Sequence, residues 1–322
     1  MEGAQLLHVS VPTTDVDAAA SFLCAVGGME VQRKDALGHA FVGFGSEADG
    51  EHFSLKLTPA DEALTSVDLL AGASVTVPSV QAAVAAALEM GATVLRPISN
   101  VTRVASLIPD EEIEVPQAWV MRAVVQDAHS GLPLEVVEHQ PAEQQERTDA
   151  GAPALAHVTL RVPDLNAASA FFTERLGMTL HRKRSLVPME PALSCWLSYA
   201  DGEMSGTTVE LRYLYGLTSG RGGRARKIAK HDAQLVVGAV DVAAAVVELC
   251  EPFPLPEVDD DRGRVGATGS LSPGCSVVHG VGAVAGLGEE AAVLQVAEPA
   301  AGVTIALVDQ LDFLKQTLLG SD

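Results

Sequence analysis

The segment LAHVTLRVPDLNAASAFFTERLGM, residues 155–178, decides the fold because the earlier segment LLHVSVPTTDVDAAASFLCAVGGM, residues 6–29, repeats its pattern. Ten of the 27 aligned pairs between residues 8–34 and 157–183 are identical without a gap. Chance would produce about two or three identities in a chain rich in Ala and Val. The sequence therefore predicts a tandem duplication.

Both copies follow the same order of elements. A strand leads to an aspartate, Asp15 or Asp164, that can cap a following helix, and the helix ends at Gly28 or Gly177. Further strands are predicted from β-branched and aromatic residues at 40–45, 52–57, 194–199 and 207–213.

Each copy continues with a second unit of the same kind. Residues 73–95 and 233–250 read as a strand, a turn and an amphipathic helix, and residues 118–139 and 291–310 read as paired strands. The pattern predicts an α+β fold of four βαβββ modules in two tandem domains. The expected domains are residues 1–140 and 154–322, joined by a polar linker at 141–153. Two insertions are expected, near 99–116 and, rich in glycine, at about 257–290.

The composition excludes several classes of protein. With 42 acidic and 21 basic residues in 322, the formal charge of −21 argues against binding to nucleic acid. No uninterrupted apolar run reaches the roughly 18 residues of a membrane span. The first residues show no targeting segment, and the four cysteines have no metal-binding or disulfide spacing.

Three motifs carry a resemblance to a known family. HVTLRVPDLNAASAFFTERLGM, TTVELRYLYGLTS and VTIALVDQLDFLK resemble the two-domain glyoxalase I proteins (lactoylglutathione lyases) of plants and algae, in the vicinal oxygen chelate (VOC) superfamily. The resemblance implies mixed sheets that curl into half-barrel clefts, with a divalent metal in the cleft. It implies an isomerase that moves a proton between adjacent carbons of a hemithioacetal, located in the plastid or cytoplasm.

Matching the family's motif residue by residue implies one partly complete metal site. His157 matches the first ligand, Glu210 the first carboxylate, and Glu135 the second carboxylate, which is the expected base. Glu135 and Glu210 are thus the candidate catalytic residues, with Zn, Ni or Mn as the metal if the site is active and none otherwise. The fourth position, where the family has a histidine, holds Gly72.

The resemblance also bears on the substrate. Arg161 matches an arginine that binds a substrate carboxylate, whereas Leu214 stands where the family has an asparagine. A second, degenerate site would consist of His8, Lys56, Gln234 and Ala306, in which a lysine and an alanine replace the carboxylates.

Each of these residues also has a purely structural interpretation. A lone strand histidine is more often structural than a ligand, and Glu135 and Glu210 could be ordinary solvated carboxylates. Their joint placement on inward faces by period-2 alternation favours a site. The basic loop RGGRARK, residues 221–227, is either a solvated loop or a docking point for an anionic partner.

Two hypotheses of different class remain open. The first is a glyoxalase-I-like metal-dependent isomerase acting on a small thiol adduct or a related vicinal-oxygen substrate. The second is a catalytically inactive relative that serves as a binding or structural subunit, with protein partners docking on residues 221–227 and 257–290.

Overall fold

The computed structural model describes most of the strands and helices of the chain. Described are residues 4–45, 53–65, 68–102, 119–138, 154–186, 190–200, 207–215, 233–251, 253–254, 271–272, 275–284, 288–296 and 303–310. The predicted linker at 141–153 and the basic loop at 221–227 lie outside these residues.

Two open eight-stranded mixed sheets dominate the fold. Sheet A has the order β16-β17-β18-β13-β1-β4-β3-β2. Its strands are β1 (Gln5–Thr13), β2 (Glu30–Lys34), β3 (Ala40–Gly43), β4 (Ser54–Pro59), β13 (Ala233–Ala239), β16 (Cys275–Val284), β17 (Gly288–Val296) and β18 (Val303–Asp309).

Sheet B has the order β10-β11-β12-β9-β5-β8-β7-β6. Its strands are β5 (Leu70–Thr76), β6 (Thr93–Thr102), β7 (Trp119–Gln126), β8 (Pro133–Glu138), β9 (Ala154–Arg161), β10 (Thr179–Ser185), β11 (Ala192–Ser198) and β12 (Thr208–Leu214). A separate pair joins β14 (Phe253–Pro254) to β15 (Leu271–Ser272).

Each sheet combines strands from both copies of the repeat. Sheet A joins the first and fourth modules through the antiparallel pair β1 and β13, and sheet B joins the second and third through β5 and β9. The predicted α+β fold of four modules is confirmed. Residues 275–284, within the predicted glycine-rich insertion, form β16, the edge strand of sheet A, and the bounds of the insertion and of the two domains stay a prediction.

The described helices begin at side-chain caps. Asp15, Ser79, Asp164 and Asp241 each accept a hydrogen bond from the backbone N–H three residues on. The helices are α1 (Val16–Gly27), α2 (Val80–Glu89), α3 (Leu165–Ala170, continued by a π-helical turn over Phe171–Arg175) and α4 (Val242–Cys250). No helix among the described residues is long and apolar enough to cross a membrane.

The two sheets share one hydrophobic core. It contains alternate residues of both sheets together with the buried faces of the four helices, and α1 packs against α2. Because successive strand residues point to opposite faces, the residues between the core positions lie on the other face of each sheet. That face carries the candidate site.

Candidate functional site

The candidate site lies on the face of sheet B that is turned away from the core. On β9, Val158 and Leu160 are fully buried in the core, so His157, Thr159 and Arg161 lie on the opposite face. On the neighbouring parallel strand β12, Val209 and Leu211 are likewise core residues. Their alternates, Glu210 and Arg212, therefore share the face of His157 and Arg161.

Glu210 is fully buried and is bonded from several sides. Thr159 Oγ1 donates to its Oε2 at 2.7 Å, and His157 Nε2 lies 3.3 Å from the same oxygen. Arg212 donates from Nε and Nη2 to Oε1 at 3.1 and 2.9 Å and from Nη2 to Oε2 at 2.8 Å. Burial by itself raises the pKa of this carboxyl, but the Arg212 charge and the hydrogen bonds from His157 and Thr159 hold it well below its usual value. Glu210 is therefore ionised at neutral pH, and hydrogen bonds occupy both of its oxygens.

Arg212 connects this carboxylate to a second one. Its Nη1 donates to Glu190 Oε2 at 3.3 Å, and Arg96 Nη2 lies 3.0 Å from the same Glu190 oxygen. Burial lowers the pKa of Arg212, but Glu210 and Glu190 outweigh it and raise the pKa above the ordinary value. The guanidinium is thus fixed between two carboxylates.

Glu135 occupies the same face two strands away. It is in register with Ser74 on β5, which is in turn in register with His157 on β9. At the usual strand spacing this places the backbones of Glu135 and His157 about 10 Å apart. Glu135 Oε1 accepts a hydrogen bond from Arg122 Nη1 at 3.1 Å, and its side chain is 21% exposed.

Arg161 lies on the predicted face. Its Nη1 donates to the backbone carbonyl of Asp68 at 2.6 Å, while its Nε is buried without a partner among the described residues. Burial and the neighbouring Arg212 lower its pKa.

Comparison with known proteins shows similarity to one superfamily in part of the chain and to one known fold over nearly all of it. The model of the glyoxalase/bleomycin resistance protein/dioxygenase superfamily matches residues 154–251. Maize glyoxalase I superposes with a TM-score of 0.68 at 23% identity, covering 99% of this chain and 97% of that one. Residues 154–251 are thus similar to this superfamily, and the whole chain has the fold of maize glyoxalase I.

Two curated relatives are similar to this chain, one over nearly its whole length and one over about a third of it. Lactoylglutathione lyase GLX1 of Arabidopsis thaliana is 25% identical over 320 residues, covering 98% of this chain and 95% of its own. The rice lactoylglutathione lyase is 37% identical over 114 residues, so this match spans 32% of the present chain and 36% of the rice protein. The two-domain glyoxalase fold inferred from the motifs is thereby confirmed.

The residues at the site do not fit the divalent metal that the family implies. Within the described part of the chain, no group of three or more His, Cys, Asp and Glu side chains is arranged to hold a metal ion. Glu210 and Glu135, the two carboxylates matched to metal ligands, each accept hydrogen bonds from an arginine, Arg212 and Arg122 respectively. A guanidinium so close to each carboxylate repels a second cation, and at Glu210 the hydrogen bonds also occupy both oxygens.

Gly72 stands at the remaining ligand position, which has no room for a side chain. It is in register with Thr159, at an irregularity in the pairing of β5 with β9. Its φ is +157°, and a Cβ at this position would lie 2.7 Å from the backbone carbonyl oxygen of Pro133. The backbone of β8 thus occupies the space that a histidine side chain would need.

The four residues matched to a second site lie on sheet A. His8 is buried with its ring edge-on to Phe41, and its pKa is lowered by burial and by the charge of Lys56. Gln234 accepts a hydrogen bond from Ser10, and Ala306 packs in a small apolar cluster. Burial also lowers the pKa of Lys56. The interpretation of this half as unable to bind a metal stays a prediction, supported by a cation and apolar side chains in place of carboxylates.

Several polar residues on or beside the outer face of sheet B were not among the sequence candidates. Four are arginines and two are partners of arginines: Arg122, Arg182, Arg184, Arg212, Glu190 and Trp196. The period-2 rule could have identified Arg212, two residues after Glu210, and the alternating HRKRS of β10 could have identified Arg182 and Arg184. Glu190 and Trp196 have no comparable signal, because only the strand register shows what they face.

Proposed function

We propose that this protein is a glyoxalase-like isomerase that acts on a small thiol adduct on the outer face of sheet B without a bound divalent metal. The observation that carries the proposal is the contrast between the two matched carboxylates on that face. Glu210 is fully buried and saturated, whereas the Glu135 side chain is 21% exposed and within reach of a small molecule. A general base must reach its substrate, so Glu135 is assigned that role.

The proposed reaction needs a base and a positive field. The carboxylate of Glu135 accepts the proton from the carbon beside the carbonyl, and the bonding electron pair moves to the carbonyl oxygen as an enediolate. The protonated Glu135 then returns the proton to the adjacent carbon, while the hydroxyl proton of the hemithioacetal moves to the oxygen on that carbon, which leaves a thioester carbonyl and a new hydroxyl group. The guanidinium groups of Arg122 and Arg161 supply positive charge on the same face, where negative charge develops on the enediolate oxygens.

Glu210 has a different part in this proposal. Its contact with His157 Nε2 holds the imidazole in one orientation, and its contact with Arg212 holds the guanidinium. Glu210 is therefore a positioning residue, while Glu135 is the catalytic one.

A turnover assay with a chelator tests the proposal. The substrate is the hemithioacetal of methylglyoxal and glutathione, and EDTA-treated wild type is compared with Glu135→Gln and with Glu89→Gln, an equal charge change on an exposed residue of α2. We expect wild-type and Glu89→Gln turnover to survive EDTA and Glu135→Gln to lose about 100-fold or more. Activity that requires added Zn, Ni or Mn contradicts the metal-free mechanism.

A second function is favoured by the bond between Arg122 and Glu135. A guanidinium hydrogen-bonded to a carboxylate stabilises its ionised form and weakens it as a base. In addition, Leu214 packs beside Leu186, Ala192 and Trp196 in an apolar cluster, where the family has an asparagine. A non-catalytic binding or structural subunit would show no turnover with any treatment and would co-purify with a larger assembly.

A further inference from the structure

One end of the outer face of sheet B contains buried donors that lack acceptors. Arg184 Nε, Ser194 Oγ and Trp196 Nε1 are buried and have no hydrogen-bond partner among the described residues. Arg184 on β10 is in register with Ser194 on β11, and Trp196 lies two residues further along β11, on the same face. Because buried polar groups are almost always hydrogen-bonded, three unmet donors in adjacent positions indicate a missing acceptor.

Positive charge is concentrated at the same place. The guanidinium carbons of Arg182 and Arg184 lie 4.1 and 5.3 Å from the centroid of the Trp196 ring. Burial and the neighbouring Arg182 lower the pKa of Arg184 to about 10. Two adjacent cations, in a chain whose formal charge is −21, favour an anion between them.

The neighbouring carboxylates are already engaged. Ser194 is in register with Arg212, whose guanidinium binds Glu210 and Glu190. Glu135 is bound to Arg122. No ion pair is formed by Arg184 within the described part of the chain, so its charge remains available for an external anion.

An apolar surface borders these donors. Leu186, Ala192 and Trp196 are buried in one cluster, with Leu214 packed against it. The half-buried Leu214 therefore offers an apolar contact to a substituent of a ligand held at the guanidinium groups.

We propose that Arg184, Ser194 and Trp196, with Arg182 beside them, bind the phosphate group of a small organic phosphate. Three terminal oxygens in tetrahedral arrangement can accept from a guanidinium, a hydroxyl and an indole N–H together, whereas a carboxylate offers two oxygens in a plane. The site extends the cleft of the proposed isomerase, but binding there does not depend on turnover. Failure of the isomerase assay would leave this proposal standing.

Calorimetric titration of the full chain with phenyl phosphate tests the site. We compare wild type with Arg184→Met, which removes the guanidinium, and with Trp196→Phe, which removes the indole N–H and keeps a ring. The matched control is Arg33→Met on sheet A, where the Arg33 guanidinium carbon lies 3.4 Å from the ring centroid of Phe41. In the repeat, Arg33 is equivalent to Arg182, and Asp35 is equivalent to Arg184.

We expect saturable one-to-one binding to wild type and to Arg33→Met. Arg184→Met should weaken it about tenfold or more, and Trp196→Phe should weaken it measurably. Absence of wild-type binding, or equal affinity in wild type, Arg184→Met and Trp196→Phe, would overturn the site. Tighter binding of benzoate than of phenyl phosphate would overturn the assignment to phosphate.

Discussion

Arg212 donates three hydrogen bonds to Glu210, two to Oε1 and one to Oε2, on adjacent outward positions of β12. Glu210 is fully buried, and Arg212 also holds Glu190. The guanidinium of Arg212 occupies the Glu210 oxygens. In glyoxalase I proteins the matching carboxylate is expected to bind a divalent metal.

Removal of Arg212 should destabilise the fold strongly. Arg212→Met leaves Glu210 buried without its guanidinium partner, and breaking a buried pair in this way costs about 3–5 kcal/mol. The free energy of unfolding from urea titration measures the loss. The double variant Arg212→Met with Glu210→Gln should recover a large part of it, because no buried charge remains. A loss below about 1 kcal/mol in the single variant would show that the pair is not desolvated.

The same pair predicts a pH dependence of stability. The folded-state pKa of Glu210 lies well below the value of about 4.3 expected in the unfolded chain. The free energy of unfolding that the ionised Glu210 contributes is therefore fully present above the pKa of Glu210 in the unfolded chain. It is lost as pH falls from that value through the pKa of Glu210 in the folded protein. Urea midpoints measured between neutral pH and about pH 3 should fall more steeply for wild type than for Glu210→Gln. Parallel curves for the two proteins would contradict the assignment.

Replacing Gly72 with a residue that has a side chain should destabilise the fold. A Cβ there would meet the Pro133 carbonyl oxygen at 2.7 Å, so Gly72→Ala should lower the free energy of unfolding by about 1–3 kcal/mol. Gly27→Ala is the control, because its Cβ would meet only side chains at 3.6 Å or more and Gly27 ends α1. Thermal denaturation of both variants checks this. Equal stability of Gly72→Ala and wild type would mean that β5 can move to admit a ligand side chain.

Much of the fold could be predicted from the repeat, and part of the site from alternation. The caps Asp15 and Asp164, the glycines that end the helices, and the outward placement of His157, Arg161 and Glu210 follow from local spacing and period-2 patterning. The contacts of Glu135 could not be predicted. The bond from Arg122 to Glu135 is diagonal between neighbouring strands, and sequence alone does not fix which residues of two strands lie opposite each other.

The close approach of the Pro133 carbonyl oxygen to Gly72 could not be predicted from the sequence either. The sequence shows a glycine where the family has a histidine, which by itself suggests only a missing ligand. The irregular pairing of β5 with β9 and the position of the Pro133 carbonyl show that the backbone itself occupies the space. Such non-local contacts between strands depend on tertiary packing, which local patterns do not encode.

On sheet B, guanidinium groups bind the two carboxylates that match metal ligands, and we expect this to prevent metal binding. The metal content of the protein tests this expectation most directly. Purified chain is dialysed against equimolar Zn²⁺, Ni²⁺ and Mn²⁺ in turn, and bound metal is measured by elemental analysis for wild type and Glu210→Gln. We expect far less than one ion per chain in both proteins. One ion per wild-type chain that is lost in Glu210→Gln would contradict it.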